Sequence, residues 1–290
     1  MSGKIKIFFA LGFIFVFSGT VFANDVIITN AAQSSTDRRF EYPMVVLKEI
    51  LNRTEEKYGA TDVKRYPHPI SRARALRELI EGNICVFSTA TRPEWEEKLI
   101  PVRIPIRKGI LGYKLLLINA TQQDLFSRVN TANELMKLRV GGGAQWSSTL
   151  ALRSQGFNVI GSVEYEPLFA MLQAGRFDFF PRGVNEIFQE YEGRKTQFPS
   201  MAIEQEIALY LPQPTYFFVS PRKLELAKRI EEGLMLLRED GTLSKLFFDF
   251  HGDAIKRANL ANRRIIPIEN INLSPETPLN QKDLWYQPSK

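Results

Sequence analysis

The sequence predicts an α/β protein of two lobes joined by two strands. Strand and helix patterns alternate along the chain in two successive sets. An apolar run with a proline near its start, residues 104–119, separates the first set from the second, and a similar run of proline and aromatic residues, 211–220, follows the second set. We interpret these runs as the outward and return crossings between lobes, with a hinge near residues 108–112. The cleft between the lobes is then the predicted functional site.

The first set has the pattern strand, helix, strand, helix, strand. Ser71 is a predicted N-cap for the second helix, which stops at Gly82. Residues 88–105 are predicted as a connection leading outward. In chain order, the predicted elements are strand 25–29, helix 42–58, strand 61–66, helix 72–81 and strand 84–87.

The second set repeats this alternation, and two helices within residues 224–250, broken at Asp240-Gly241, follow the return crossing. The tail, 264–290, is expected either to lie extended across the first lobe or to be partly loose. The expected division is residues 24–110 and 212–290 for the first lobe and 111–211 for the second. The elements predicted between the crossings are strand 109–119, helix 131–138, strand 138–142, helix 145–155, strand 158–160, helix 167–173, strand 177–180 and helix 184–192, after which residues 207–211 lead back to the return crossing.

Residues 1–23 have the features of a secretory signal peptide. Lys4 and Lys6 precede a wholly apolar run, and cleavage is predicted after Ala23. An uncleaved membrane anchor is the alternative, but the apolar run is short for a span of roughly 20 residues. Removal lowers the formal net charge from +6 to +4, because the segment carries two lysines and no acidic residue. The mature chain is expected in the periplasm.

Composition argues against several functions. The chain has 290 residues, of which 44% are hydrophobic and 24% charged, as in ordinary globular proteins. Its small positive charge is interspersed with acidic residues, so nucleic acid is not an expected partner. Cys85, the only cysteine, is predicted to be a buried small hydrophobe rather than a nucleophile. His68 and His251 have no metal-ligand neighbours at useful spacing, and no metal or cofactor is predicted.

Three segments resemble the family 3 solute-binding proteins, which have the type II periplasmic-binding fold. Residues 138–148 contain LRVG and then QWSS, similar to the family's K-x-V-G-V-x-x-G-S/T segment. Residues 172–178, LQAGRFD, are similar to L-x-x-G-R-x-D-A, and residues 236–248, LLREDGTLSKLFF, to L-x-x-D-G-T-x-x-K-I. The resemblance implies two mixed sheets flanked by helices and joined by two hinge strands. The ending after Gly252 is unlike the transport proteins and indicates a divergent, orphan branch.

In this family a helix N-terminus in the second lobe holds the ligand carboxylate. The resemblance places that helix start at Ser147, Ser148 and Thr149. Ser147 is also interpretable as an N-cap alone, and Trp146 as a wall of the cleft or as a core residue. The glycines at 141–143 lack the lysine and the spacing of a phosphate-binding loop, so nucleotide binding is not expected.

The first lobe of the family supplies an arginine after its third strand, which grips the carboxylate through two hydrogen bonds. Thr89 and Arg92 match the family's T-x-x-R spacing, whereas counting back from Pro105 puts Trp95 at the arginine position. Both alignments stay open, and Arg92 is favoured on chemistry. The family places a stacking aromatic at Tyr42, which is alternatively a core residue at a helix start.

The clearest departure from the family follows the strand at 177–180. The family's partner for the ligand ammonium is a carboxylate five residues after the motif aspartate, Asp178; here that position is Gly183, beside Arg182. An ammonium would lose its partner and meet a like charge. We therefore hypothesise a ligand other than an ordinary α-amino acid, with an extra acidic group as one option. Glu186, one helical turn later, weakens this hypothesis because it restores a negative contact.

The resemblance implies a non-enzymatic, monomeric periplasmic protein that closes its cleft on a small carboxylate-bearing or amino-acid-like solute, for uptake or sensing. The expected partners are the ligand and an inner-membrane transporter or sensor. One alternative is an enzyme on the same fold, similar to cyclohexadienyl dehydratase, with Glu186, Glu94 and Asp37 as candidate acids or bases. Another is a protein-interaction module that has lost its pocket.

Overall fold

The computed structural model describes residues 25–31 and 40–288. The predicted signal peptide and Asp37 lie outside the described residues. In chain order, the strands are β1 (Asp25–Thr29), β2 (Thr61–Arg65), β3 (Val86–Ala90), β4 (Ile100–Val102), β5 (Tyr113–Asn119), β6 (Arg139–Gly143), β7 (Asn158–Ser162), β8 (Phe179–Gly183), β9 (Met201–Ile203), β10 (Ile207–Tyr210), β11 (Thr215–Val219) and β12 (Arg264–Pro267). The helices are α1 (Glu41–Arg53), α2 (Glu55–Tyr58), α3 (Arg72–Glu81), α4 (Pro93–Lys98), α5 (Gln123–Ser127), α6 (Ala132–Leu135), α7 (Ser147–Ser154), α8 (Pro167–Gln173), α9 (Val184–Glu192), α10 (Leu224–Glu239) and α11 (Thr242–Ala258).

The first lobe is built on β1 to β4 and β11. β11 lies between β3 and β4 and is antiparallel to both, while β1 and β2 form a parallel pair. Two contacts join this pair to β3. The backbone N–H of Cys85 donates to Ile28 O at 2.9 Å, and the side chain of Asn30 exchanges hydrogen bonds with the backbone of Ser88 at 3.1 and 3.0 Å. The strands therefore form one layer in the order β2-β1-β3-β11-β4.

The second lobe is built on a sheet of order β12-β10-β5-β8-β6-β7, with β9 also paired to β5. β6 is parallel to β7 and β8, whereas β5 is antiparallel to β8 and β10. The sheet is mixed, as predicted. β5 is buried on both faces, with Leu115 and Leu117 in one core cluster and Leu116 and Ile118 in another. Burial on both faces explains its continuous apolar sequence.

The two crossings between the lobes run side by side. The backbone N–H of Leu211 donates to Gly112 O at 2.9 Å, and that of Ile106 donates to Thr215 O at 3.1 Å. Gly112 permits this approach, because a Cβ at that position would lie 2.5 Å from Leu211 O. The predicted pair of hinge strands is therefore present as two adjacent backbone segments.

Two local predictions differ from the structure. Residues 88–105, expected as a connection, contain the end of β3, helix α4 and strand β4. The latter two are only six and three residues long, too short to show a periodic pattern. The expected helix 42–58 is divided into α1 and α2 at Thr54, whose hydroxyl donates to Ile50 O at 2.8 Å. A hydroxyl that bonds back to the preceding turn competes with the backbone ladder.

The tail after α11 follows a different course from the one expected. β12 pairs in parallel with β10 at the edge of the second sheet, instead of crossing only the first lobe. The open edge of β10 offers unpaired backbone groups, which β12 satisfies. The chain then returns to the hinge, where Tyr286 N donates to Lys108 O at 2.7 Å. The Trp285 ring covers Gly109, where an added Cβ would lie 2.3 Å from it.

Candidate functional site

A cavity of about 330 Å³ lies where the two lobes meet the tail. This volume is at the lower end of the range of roughly 300–1,000 Å³ that small-molecule sites occupy. The segment between β3 and α4, the start of α7 and the residues just after β12 supply its walls. The lining residues are Thr91, Arg92, Pro93, Glu94, Ser147, Leu150, Asn270 and Asn272.

Arg92 provides the positive charge of the cavity. Its backbone is extended immediately before α4, which Pro93 opens at the first helical position. The side chain is only 13% exposed, and its Nη2 lies 3.3 Å from Glu94 Oε2. Burial lowers the pKa of Arg92, and Glu94 partly offsets this effect. Within the described residues, the buried Arg92 Nε has no hydrogen-bond partner. Arg92 therefore lines the cavity and has one buried donor without a partner among the described residues.

The N-terminus of α7 faces this arginine from the second lobe. Ser147, its first residue, is buried, and its Oγ donates across the cleft to Ala90 O at 3.5 Å. The first N–H groups of a helix have no partner within the helix, and this end carries the positive part of the helix dipole. Ser148 lies in the same turn, but its side chain does not line the cavity. A guanidinium and a helix N-terminus thus line the same cavity.

Trp146, directly before α7, packs on the second lobe rather than on the wall of this cavity. Its ring stacks on Phe180 with 6.0 Å between the centroids. Gly143 allows this position, because a Cβ there would lie 2.3 Å from the Trp146 ring. Trp146 therefore supports the turn that precedes α7.

Arg182, Glu186 and Glu190 form a buried ionic cluster in the second lobe. Arg182 Nε and Nη2 donate to the two carboxylate oxygens of Glu190, both at 2.6 Å. Its Nη2 also lies 3.0 Å from Glu186 Oε2. The guanidinium carbon lies 4.6 Å from the centroid of Trp146. These contacts place Arg182, which is 4% exposed, and Glu186 inside the lobe instead of on the wall of the cavity.

Lys114 lies beside this cluster. Its Nζ donates to Gln213 Oε1 at 3.0 Å, which ties β5 to the second crossing. Burial lowers the pKa of Lys114 to about 8; Glu186 raises it, and Arg182 lowers it further. Burial alone would also lower the pKa of Arg182, but Glu186 and Glu190 outweigh that effect and raise it. The cluster therefore holds β5, β8 and α9 together at the base of the second lobe.

The remaining predicted residues lie in the interior of the first lobe. Tyr42 is buried and donates its hydroxyl to Ile106 O at 2.6 Å, beside the first crossing. Thr89 is buried in β3, and its Oγ1 has no hydrogen-bond partner within the described part of the chain. Trp95 is fully buried, with its ring 5.5 Å from that of Phe218. Of the two residues proposed for the arginine position, Arg92 lines the cavity. Trp95 packs beneath it, with its ring centroid 5.6 Å from the guanidinium carbon of Arg92.

Thr91, Asn270 and Asn272 line the cavity but were not predicted as site residues. Thr91 precedes Arg92 and is buried, and its hydroxyl donates a hydrogen bond to Glu96 Oε1. The two asparagines belong to the tail, whose sequence has no periodic pattern and no counterpart in the family segments. No sequence signal therefore connects them to the cavity.

Neither protein-family models nor curated proteins match this sequence. Solved structures do match. An ancestral arginine-binding protein bound to arginine has a TM-score of 0.56 at 16% identity, covering 78% of this chain and 97% of that chain. A periplasmic His/Glu/Gln/Arg/opine family-binding protein from Silicibacter pomeroyi in complex with lysine has a TM-score of 0.57 at 12% identity, covering 79% of this chain and 98% of that chain. The protein has the two-lobed periplasmic-binding fold.

A third similar structure is an ancestral amino acid-binding protein described as a precursor of cyclohexadienyl dehydratase. It has a TM-score of 0.56 at 13% identity and covers 79% of this chain and 95% of that chain. These matches confirm the fold predicted from the three sequence segments. At such identities the comparison establishes the fold, and the ligand has to be argued from this chain's own residues.

Two further observations concern the described residues alone. Across residues 25–31 and 40–288, no helix is both long and apolar enough to cross a membrane. Over the same residues, no group of three or more His, Cys, Asp or Glu side chains is placed to hold a metal ion.

Proposed function

We propose that this protein is a periplasmic solute-binding protein that encloses a small carboxylate-bearing solute in the interlobe cavity. The observation that carries the proposal is the buried Arg92, whose Nε lacks a partner within the described residues, opposite the N-terminus of α7. Both groups are donors suited to a carboxylate. The lobes come together beside it through the Ser147–Ala90 contact.

Binding of the solute is expected to favour closure of the two lobes. A solute that contacts Arg92 in one lobe and Ser147 in the other has more contacts when the lobes are together than when they are apart. Such a solute stabilises the closed state by this difference in binding free energy. The adjacent crossings at Gly112 and Leu211 are the backbone segments about which the lobes would turn.

The proposal also includes export of the chain and delivery of the bound solute to a membrane partner. The signal peptide is cleaved after Ala23, the mature monomer works in the periplasm, and the loaded protein is presented to an inner-membrane transporter or sensor. The fold supports this proposal, since two similar solved structures hold arginine and lysine in complex. The interlobe site carries out binding without catalysis.

An enzyme on this fold is the alternative, and the dehydratase precursor among the similar structures gives it some support. General acid–base catalysis needs a carboxylate placed to reach a substrate proton. Glu94 lies 3.3 Å from both Arg92 and Lys98. Glu186 is engaged with Arg182. Both are occupied as counterions, so the geometry favours binding.

A thermal-shift screen with small carboxylates tests the proposal. A bound solute raises the melting temperature, and calorimetry then gives its affinity. Arg92→Ala is expected to weaken that affinity about 10- to 100-fold, because a hydrogen bond to a charged group contributes about 1.5–3 kcal/mol. Arg176→Ala, at an exposed arginine, is the control and should bind as the wild type does.

Two outcomes would contradict the proposal. One is equal affinity in the Arg92→Ala and Arg176→Ala proteins for every solute that binds. The other is chemical conversion of the solute, detected by mass spectrometry after incubation, which would favour the enzyme instead.

A further inference from the structure

We infer that the C-terminal tail completes the ligand site, and that Asn270 and Asn272 select a monocarboxylate carrying a neutral hydrogen-bonding group such as an amide. The inference rests on the proposed function and adds the chemical class of its ligand.

Three contacts hold this part of the tail at the cavity. Ile268 N donates to Tyr210 O at 2.8 Å and continues the pairing of β12 with β10. Asn270 Nδ2 donates to Pro212 O at 2.9 Å, on the second crossing. Farther along, Glu276 lies 2.7 Å from Arg103 in the first lobe. The segment between these anchors passes from the second lobe to the first along the cavity wall.

Both asparagine side chains are positioned and retain hydrogen-bonding capacity. Asn270 Oδ1 accepts from Asn272 N at 3.2 Å, and Asn272 Nδ2 donates to Ser154 Oγ at 3.4 Å, at the end of α7. An amide side chain has two donor hydrogens and an oxygen with two lone pairs. One donor in each residue is used by these contacts, which leaves a second donor and at least one lone pair for a ligand. Two adjacent amides that both donate and accept suit a neutral group that does the same.

The charges around the cavity disfavour a ligand ammonium. Glu94 is the acidic residue of the lining, and it lies 3.3 Å from both Arg92 and Lys98. An ammonium would have to share this carboxylate with two cations. The polar side chains otherwise found on the wall, those of Thr91, Ser147 and the two asparagines, are neutral. The lining therefore carries one positive charge, on Arg92, and one negative charge, on Glu94, which already pairs with Arg92 and Lys98; the other polar partners that it offers a ligand are neutral.

Three probes that differ at one carbon test this class. Propionate has only the carboxylate, L-alanine adds an ammonium, and N-acetyl-L-alanine replaces that ammonium with a neutral amide. Calorimetry with the mature protein at pH 7.5 and millimolar probe is expected to give N-acetyl-L-alanine at least tenfold higher affinity than L-alanine. Stronger binding of L-alanine, or no binding of any probe, would overturn the inference.

Variants assign the effect to the tail. Asn270→Ala and Asn272→Ala are each expected to lower the affinity for N-acetyl-L-alanine about two- to tenfold, the value of one neutral hydrogen bond, with propionate unchanged. Asn280→Ala, at an exposed asparagine of the same tail, is the matched control. If both variants bind like this control while Arg92→Ala still loses affinity, the inference fails and the proposed function stands. If Arg92→Ala also has no effect, both fail.

Discussion

Replacing Arg182 with methionine tests whether the ionic cluster of the second lobe is structural. The substitution removes two hydrogen bonds of 2.6 Å to Glu190 and the 3.0 Å contact with Glu186. Because Arg182 is only 4% exposed, the two carboxylates would remain in the protein interior without their cation. Removing one member of a buried ion pair costs about 3–5 kcal/mol, because the remaining charge is uncompensated. In a chain of this size the loss corresponds to a fall of roughly 6–20 °C in melting temperature.

Urea unfolding followed by circular dichroism measures this loss. Arg74→Met is the control, because Arg74 pairs with Glu78 on α3 with its side chain 55% exposed. It should cost about 0.5 kcal/mol or less. Arg182→Met combined with Glu190→Met is expected to be less destabilised than the sum of the two single variants. An Arg182→Met protein within about 1 kcal/mol of the wild type, or strictly additive losses, would refute this account of the cluster.

Two other predictions concern the hinge. His251 Nε2 accepts from Arg107 Nη1 at 2.9 Å, and burial, followed by Arg107, lowers the pKa of His251 from 6.5 to about 3. Between pH 6.5 and about 3, His251 is therefore protonated in the unfolded chain and neutral in the folded chain. Over this range the free energy of unfolding falls by up to about 1.4 kcal/mol for each unit fall in pH. His251→Gln should lose this dependence in urea unfolding at pH 7, 5.5 and 4.5, whereas equal slopes in both proteins would contradict it. Gly112→Ala should cost about 1–3 kcal/mol, because its Cβ would lie 2.5 Å from Leu211 O. Gly252→Ala, in α11, is the control, because an added Cβ there has no atom within 4 Å. This substitution should stabilise the protein by about 0.5–1 kcal/mol. Equal effects of the two substitutions on the free energy of unfolding would contradict the steric argument.

The elements that the sequence predicted well are those with strong local signals. Ser71 accepts from Arg74 N at 3.3 Å at the start of α3, and Gly82 ends that helix with φ at 87°. Thr131 forms a capping box with Glu134 before α6. The continuous apolar run at 109–119 predicted a strand, and the structure has β5 there. In each of these places the determining groups lie within a few residues of one another.

The features that the sequence did not predict depend on contacts between distant residues. β12 pairs with β10, more than fifty residues earlier, so nothing local in the tail shows where it lies. Asn270 and Asn272 reach the cavity only through that pairing. Glu190 was part of a predicted helix, but its pairing with Arg182 depends on how α9 packs against β8. The choice between Arg92 and Trp95 depended on a short helix, α4, that has no periodic signal.

A crystal structure of the mature protein with its tightest-binding carboxylate tests the central claim most directly. We predict that the solute carboxylate lies within hydrogen-bonding distance of the Arg92 guanidinium and the N–H groups at the start of α7, with Asn270 or Asn272 bonded to its neutral end. A solute bound elsewhere, with the cavity between Arg92 and Ser147 occupied only by solvent, would contradict the claim.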